Sequence, residues 1–447
     1  MSLHSLGLCQ ASEMLATGTI STRELVDDCL ARIEAFDSGI HAWAWLDPEH
    51  ARRQADRLDD DRRRGRALGR LHGIPVGIKD IIDTALIPTE HGFPLFEGRV
   101  PRRNAVLVDR LQEQGAVIMG KTVTAALATF MPGKTANPHN PAHTPGGSSS
   151  GSAAAVASYM VPGAVGTQTN GSVIRPAAFC GTVGFKPSYG LISRTGVLRQ
   201  SPFLDQVGVF ARCVEDAALL AEVMMGADPE DASTAGSGGI PPLLSVCRSE
   251  PPVTPRFAFL RTGRWGQLEE SSRAGLEEVV DALGDRVTEI TMGPAFDSAW
   301  QALDTVNAAE MATWYGPIHD KGSQFFEPLV EDMMTRGKEI AARDYINAME
   351  SRPLLVGILD EYFDEYDAII TPAAPGEAPK GLEATGNPMF STPWTFCGVP
   401  ALTLPLLQGE SGLPVGVPRE LCDARSKRLC GFRCALLLFV KAVGTML

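Results

Sequence analysis

The spacing of apolar residues predicts that helices and strands alternate along the first half of the chain. The first helix is expected to begin after Ser21, which can form a capping box with Glu24. The apolar residues that follow at helical spacing are Leu25, Val26, Cys29, Leu30 and Ile33. A second helix is expected at residues 48–64, before the short apolar strand pattern of "LHGIPVGIKDII".

Two later segments repeat the helix-then-strand order. "NAVLVDRLQEQGAVIMGKT" predicts a helix, a turn at Gly115 and a buried strand. "SAAAVASYMVPGAVGTQT" predicts a helix of small residues, a Pro-Gly stop and another short strand. The pattern therefore indicates an α/β protein.

The second half of the chain has a different pattern of residues. Residues 228–256 are predicted to be a loop, since they begin with "DPEDASTAGSGGIPP", and residues 257–365 are predicted to be a variable helical region. Strand-like "DAIITPAAP" and "VPALTLPLL" follow, and we expect them to join the sheet of the first half. We therefore expect residues 1–447 to form a single domain.

Composition narrows the class of protein. Hydrophobic residues make up 44% and charged residues 21% of the chain, which is typical of a folded globular protein. The formal net charge of -13 argues against nucleic acid and membrane partners. No secretory signal or run of ~20 apolar residues is found, so a cytoplasmic location is expected. The nine cysteines and eight histidines are scattered, so neither disulfides nor a metal site is expected.

The segment "TPGGSSSGSAAA", residues 144–155, allows three interpretations. Its composition is typical of a flexible linker, but it lacks the spacing of a phosphate-binding loop. "GSSSG" also matches the G-x-S-x-G pattern of an α/β-hydrolase, which would make Ser149 the nucleophile of an esterase. Only His319 lies downstream of Ser149 as a candidate base for that mechanism.

A resemblance to a known family favours a different interpretation. The stretch "GTQTNGSVIRPAAFCGTVGFKPSYG", together with the Gly/Ser segment before it and "GIPVGIKD" upstream, resembles the amidase signature family. The likeness extends from the first helix to "GLPVGV", which ends at Val417, and residues 67–213 hold the signature core. It implies an α/β/α domain whose central mixed, twisted β-sheet is covered by helices on both faces. The basic, Cys-rich tail at residues 418–447 departs from the family pattern.

The resemblance implies a catalytic triad. Ser172, 24 residues after Ser148, is at the position of the nucleophile, Ser148 at that of a bridging serine after a cis peptide, and Lys79 at that of the base. The chemistry is coherent, because a serine hydroxyl needs a positioned base and Ser-Lys pairs are a known variant. Lys79 must then be neutral near pH 7, which requires lowering its pKa by roughly 3 units. The apolar run before Lys79 indicates a buried strand that could do so.

The turn before Ser172 is the expected oxyanion hole. The backbone N–H groups of Thr169, Asn170 and Gly171 can face a developing negative charge. Most relatives have Gly where this chain has Asn170, and Asn is expected to tolerate a left-handed backbone there. Arg175 has two interpretations: it could bind a substrate carboxylate or carbonyl, or it could hold the Gly/Ser loops through a structural ion pair.

The resemblance implies a hydrolase without cofactor or metal that cleaves the C–N bond of a small amide or carbamate, with esterase or urethanase activity as variants. Its expected partner is that small molecule, and a homodimer is left open. Two other hypotheses remain. One is a glutaminase-type subunit of a tRNA-dependent amidotransferase, and the other is a non-catalytic binding relative.

Overall fold

The computed structural model of the protein describes residues 2–236, 239–291 and 293–415. The atypical tail predicted at residues 418–447 lies outside the described residues. In the part of the chain that is described, no helix combines the length and the apolar character needed to cross a bilayer.

Ten strands form two sheets within the described residues. The strands are β1 (Trp43–Leu46), β2 (Pro75–Lys79), β3 (Val117–Thr122), β4 (Gly163–Gln168), β5 (Val183–Lys186), β6 (Gln206–Ala211), β7 (Phe257–Arg261), β8 (Val287–Thr291), β9 (Ala368–Ile370) and β10 (Ala401–Thr403). Seven of them make the central sheet in the order β1-β3-β2-β4-β6-β5-β10, and the other three make a second sheet in the order β8-β7-β9.

Helices surround these sheets. They are α1 (Leu8–Thr17), α2 (Thr22–Ile40), α3 (Pro48–Arg63), α4 (Val106–Glu113), α5 (Ser150–Ala157), α6 (Ile174–Cys180), α7 (Val214–Glu222), α8 (Leu243–Arg248), α9 (Glu270–Leu283), α10 (Ser298–Gly322), α11 (Pro328–Glu339), α12 (Ala342–Glu365) and α13 (Thr392–Cys397). The fold is therefore the α/β architecture with a central mixed sheet flanked by helices that the sequence predicted.

The middle of the central sheet brings three separated segments to one edge. β2 is parallel to both β3 and β4, while the remaining pairs in this sheet are antiparallel. Every residue of β2, β3, β4 and β6 is buried, as expected for strands that are covered on both faces. Because parallel strands end at the same edge, the last residues of β2 and β4 lie side by side.

Local predictions for the first half are confirmed, with one correction: α1 (Leu8–Thr17) precedes α2, so the helix after Ser21 is not the first. Ser21 caps α2, and its side chain and that of Glu24 form the expected reciprocal capping box. The helix predicted at residues 48–64 is α3, which begins at Pro48 after the Asp47 cap. The turn after α4 uses Gly115 with a φ of +81°, a left-handed conformation that glycine adopts without steric cost.

Predictions for the second half need correction. The segment 228–256 is not a continuous loop, because it contains α8. The segment 257–365 contains strands β7 and β8 as well as helices, and "DAIITPAAP" supplies β9, which pairs with β7 in the second sheet. Only "VPALTLPLL" joins the central sheet, as β10 beside β5. Each strand is only three to five residues long, so the local pattern carried too little information to assign its partner.

Close backbone packing at the start of α5 explains one glycine of the Gly/Ser segment. Gly151 N donates a hydrogen bond to Val123 O at 2.9 Å. A Cβ at Gly151 would lie 2.2 Å from Ala42 O and 2.4 Å from Val123 N, which are both backbone atoms. The segment is therefore a packed element rather than a linker.

We expect Gly151→Ala to destabilise the protein by about 1–3 kcal/mol or more, because backbone atoms cannot move aside as a side chain can. The matched control is Gly39→Ala, at an exposed helical position with no atom within 4 Å of the added Cβ. That change should be neutral or stabilising by up to about 1 kcal/mol. Thermal unfolding of both variants checks the prediction, and equal midpoints for the two would contradict it.

Candidate active site

Lys79 lies at the centre of the candidate site. It is the last residue of β2, its side chain has no solvent exposure, and its Nζ donates hydrogen bonds of 2.8 Å to Ser148 Oγ and to Thr167 Oγ1. The register between β2 and β4 pairs Ile78 with Val165, which places Thr167 within reach of the lysine. The parallel pair of strands thus positions both the lysine and one of its two partners.

The surroundings of Lys79 favour its neutral form. Burial lowers the pKa of Lys79 well below its usual range, and the negative charge of Asp205 opposes this shift. Both hydrogen-bond partners are uncharged hydroxyl groups, and Lys79 forms no ion pair with any residue that the structure describes. A neutral lysine of this kind can accept a proton from a serine hydroxyl.

Ser148 is held from two sides. The peptide bond between Gly147 and Ser148 is cis, as the resemblance implied. Ser148 O accepts a hydrogen bond of 2.9 Å from Ala125 N, and Gly147 O accepts one of 2.7 Å from Arg175 Nη2. These contacts fix the loop before α5, so that Ser148 Oγ stays against Lys79.

Ser172 lies in the turn that joins β4 to α6. Gln168 Oε1 accepts hydrogen bonds from Val173 N at 2.8 Å and Ile174 N at 3.0 Å, which fixes the end of this turn. The Ser172 hydroxyl forms no hydrogen bond with another described residue. Relative exposure rises from 0% at Lys79 through 1% at Ser148 to 9% at Ser172. Ser172 is thus the member of the predicted triad that a ligand can reach most easily.

Lys79 and Ser148 of the predicted triad are in direct contact, but no hydrogen bond joins Ser148 to Ser172. Hydrogen bonds of catalytic groups are often long in a protein without substrate and shorten when substrate binds. The roles predicted for the three residues remain predictions, and the contact of Lys79 with Ser148 is the geometry that supports them.

The turn before Ser172 differs in one respect from the prediction. The left-handed residue is Gly171, with a φ of +86°, and Asn170 does not take a positive φ. Asn170 Oδ1 instead accepts a hydrogen bond of 3.0 Å from Thr392 Oγ1 at the start of α13. Thr169 Oγ1 donates one of 2.6 Å to Asp205 Oδ1. The two side chains therefore anchor the turn, and Gly171 supplies its conformational freedom.

Arg175 is buried beside this turn, with a relative exposure of 2%. Its Nη2 donates to Gly147 O at 2.7 Å and to Thr385 Oγ1 at 3.2 Å, while its Nε and Nη1 are buried without a hydrogen-bond partner. Burial lowers its pKa to about 9. The predicted structural ion pair is wrong within the described residues, because Arg175 holds the loops through a carbonyl and a hydroxyl and has no acidic partner there.

The alternative nucleophile Ser149 is fully buried. Its Oγ donates to Thr167 O at 3.1 Å and accepts from Thr167 N at 3.2 Å, so the hydroxyl satisfies two backbone groups. The candidate base His319 instead lies 3.3 Å from Glu331 Oε1. The contacts of Ser149 are those of a structural hydroxyl, and Ser150 likewise donates to a backbone carbonyl, that of Val123, at 3.3 Å.

Sequence reasoning missed Thr167 and Asp205. Thr167 lies five residues before Ser172 within the stretch that carries the resemblance, and strand pairing would have placed it beside Lys79. Asp205 directly precedes a buried strand in "FLDQVGVF", where an isolated acid among apolar residues is a signal for a specific partner. Among the described residues, no group of three or more His, Cys, Asp or Glu could hold a metal ion.

Comparisons with known proteins show which family and which relatives the chain resembles. A family model described as Amidase matches residues 24–418. A glutamyl-tRNA(Gln) amidotransferase subunit of Synechococcus sp. (strain WH7803) is 34% identical, with 92% of each chain covered. The protein of the same name from Chloroflexus aggregans is also 34% identical, covering 93% of this chain and 92% of the relative.

Two solved structures show the same fold. One belongs to a vestigial protein complex that reveals the evolutionary origins of an s-triazine catabolic enzyme. It has a TM-score of 0.85 and 30% sequence identity, and the match covers 92% of this chain and 93% of that one. The other is native peptide amidase from Stenotrophomonas maltophilia, with a TM-score of 0.74, 26% identity and 92% of each chain covered.

Proposed function

Because the chain belongs to the amidase signature family, whose chemistry is the hydrolysis of C–N bonds, we propose that it cleaves a small carboxamide that carries a carboxylate, through an acyl-enzyme on Ser172. The observation that carries the chemistry is the contact of 2.8 Å between buried Lys79 Nζ and Ser148 Oγ. Glutamine is the first substrate to test, because several relatives are named as amidotransferase subunits.

The proposed reaction starts with neutral Lys79. Lys79 Nζ takes the proton of Ser148, Ser148 Oγ takes that of Ser172, and Ser172 Oγ attacks the amide carbon. Backbone N–H groups of the turn formed by residues 169–172 stabilise the oxyanion of the tetrahedral intermediate. The same relay then returns a proton to the leaving nitrogen, which departs as ammonia and leaves the acyl group on Ser172. Water, deprotonated by the relay, releases the acid.

Arg175 supports the choice of a carboxylate-bearing substrate. A buried cation without a counterion is unfavourable, because transfer from water into a low dielectric costs several kcal/mol. A Cβ at Gly171, next to Ser172, would lie only 3.2 Å from Arg175 Nη1, which shows how close this charge is to the turn. A carboxylate on a substrate bound at Ser172 would supply the missing negative charge. Arg175 also keeps its clamp on Gly147.

We expect ammonia release from glutamine and succinamate to have a kcat/KM at least about tenfold higher than from butanamide, which has a similar length but no carboxylate. Methyl carbamate tests the carbamate alternative. Ser172→Ala measures the background for each compound. Equal or faster turnover of butanamide or methyl carbamate would contradict the proposed substrate class.

A second candidate is a glutaminase-type subunit that works only within an assembly. The names of the relatives favour it, and so does the 92% coverage of both chains in the comparison. Glutamine hydrolysis that appears only after partner subunits are added would support this candidate. Hydrolysis by the isolated chain would favour an independent amidase, whose triad is contained in one polypeptide.

A further inference from the structure

Asp205 makes more hydrogen bonds than an ordinary loop carboxylate. It directly precedes β6 and is partly buried. Its Oδ1 accepts a hydrogen bond of 2.6 Å from Thr169 Oγ1, and its Oδ2 accepts bonds of 2.9 Å from both Gln200 N and Ser201 N. Burial raises the pKa of Asp205 to about 6, although the three donors favour its charged form. Asp205 is therefore ionised at neutral pH.

The contact with Thr169 places Asp205 at the start of the candidate oxyanion turn. Thr169 follows β4 and precedes Asn170, Gly171 and Ser172 in the chain. The far end of the turn is already held by Gln168. The carboxylate therefore anchors the near end of the turn, and the contact of Asn170 with Thr392 holds its middle.

Asp205 also acts on the candidate base. Its negative charge is the one that raises the pKa of Lys79 against the effect of burial. The other charged or titratable groups that interact with Asp205 are Arg194 and Tyr315. Thr167, Thr169 and Asp205 line one small cavity. Thr167 accepts a hydrogen bond from Lys79, and Asp205 accepts one from Thr169 in the turn before Ser172.

Helix α10 holds the segment that carries Asp205. Gln200 Nε2 donates to Asn307 Oδ1 at 3.1 Å, and Phe203 N donates to Glu310 Oε2 at 3.1 Å. Both partners are buried residues of α10. The carboxylate is thus fixed from the helical part of the protein rather than by the central sheet alone.

We propose that Asp205 is a positioning residue of the candidate hydrolytic site, which anchors the oxyanion turn through the Thr169 hydroxyl and whose negative charge favours the ammonium form of Lys79 against the effect of burial. This inference rests on the proposed function of Ser172, Ser148 and Lys79. It adds a group that touches neither the substrate nor the reacting atoms.

Two variants separate the two effects. Thr169→Val removes the anchor but keeps the charge, and we expect kcat to fall about tenfold with KM and the acid limb of the pH profile unchanged. Asp205→Asn removes the charge and keeps one acceptor oxygen, while the amide nitrogen that replaces the other oxygen cannot accept a hydrogen bond. Without that charge the ammonium form of Lys79 is less stable, so we expect the acid limb to move about one pH unit lower. The difference from wild type requires a pH above about 6, at which Asp205 is ionised, and it should vanish at higher pH where Lys79 is neutral in both proteins.

The readout is the rate of labelling of Ser172 by a fluorophosphonate as a function of pH, alongside kcat and KM for any amide that is cleaved. Labelling requires the nucleophile, relay and turn but no knowledge of the substrate. A wild type that is labelled yet cleaves no amide would contradict the proposed substrate class alone, and the variants would still test the role of Asp205.

Matched controls are available elsewhere in the chain. Thr182→Val removes a buried hydroxyl that has no hydrogen-bond partner. Asp59→Asn alters a carboxylate that also accepts two backbone bonds, from Thr22 N at 2.8 Å and Arg23 N at 3.0 Å. Neither control should change labelling. The proposal is overturned if Thr169→Val labels within about twofold of wild type, or if the acid limb of Asp205→Asn does not move lower.

Discussion

Ser172→Ala is expected to lower kcat for amide hydrolysis by about 10⁴-fold or more, because removal of the nucleophile from a triad eliminates the acyl-enzyme pathway. Ser172 is the most exposed of the three predicted catalytic residues, and its hydroxyl forms no hydrogen bond with another described residue. The variant should therefore fold normally, since only an unengaged oxygen is lost. Steady-state ammonia release and an unchanged unfolding midpoint together check this expectation.

Ser149→Ala is the matched control for Ser172→Ala. The Ser149 hydroxyl is fully buried and bonded to the backbone of Thr167, so its loss should leave kcat within about fivefold of wild type. The α/β-hydrolase hypothesis predicts the opposite order of effects. A larger loss from Ser149→Ala than from Ser172→Ala would return the nucleophile to the Gly/Ser segment.

Lys79→Met is expected to lower kcat about 10³-fold or more, because Met cannot accept a proton from Ser148. In the wild type, activity should fall as pH decreases, because protonation of Lys79 removes the base. A variant that keeps the wild-type rate and pH profile would exclude Lys79 as the base.

The stability of Lys79→Met should depend on pH with a defined sign. Because burial lowers the pKa of Lys79 in the folded chain, there is a pH range below the unfolded pKa in which the unfolded chain binds a proton there that the folded chain does not. The contribution of Lys79 to the wild-type free energy of unfolding therefore increases as pH rises, up to the unfolded lysine pKa of about 10.4.

Met has no such proton. The stability of Lys79→Met relative to wild type should thus be most favourable near neutral pH and decline towards pH 10. Denaturant unfolding of both proteins between pH 7 and 10 measures this difference. A difference that does not change with pH would mean that Lys79 is protonated in the folded protein.

Local features of the chain predicted many elements correctly. The capping box at Ser21 and the apolar spacing after it were sufficient for α2, and the helix predicted at residues 48–64 is α3. Helical spacing repeated over several turns is a strong signal, whereas a strand of three residues is not. For this reason the first half was predicted well, and the second sheet of β8, β7 and β9 was not.

In the candidate site, too, some features were predicted from the sequence and others were not. Motifs and their resemblance to a family indicated Lys79, Ser148 and Ser172, and these residues lie in or next to β2, α5 and the turn after β4. The left-handed backbone that Asn170 was expected to tolerate is taken instead by the neighbouring Gly171. A sequence names a glycine-rich turn but does not say which of its residues has a positive φ.

By itself, the sequence determined α2, α3, β2 and the two later helix-strand pairs of the first half, the three candidate catalytic residues and the family. Only the tertiary structure decided that Lys79 contacts Ser148, 69 positions away in the chain, and Thr167, 88 positions away, and that Asp205 anchors Thr169. It also showed that Arg175 is a buried clamp without an acidic partner among the described residues. The physical reason is that periodicity and capping act within a few residues of the chain. Hydrogen bonds and charges between distant side chains depend on strand register and loop packing, which no local pattern encodes.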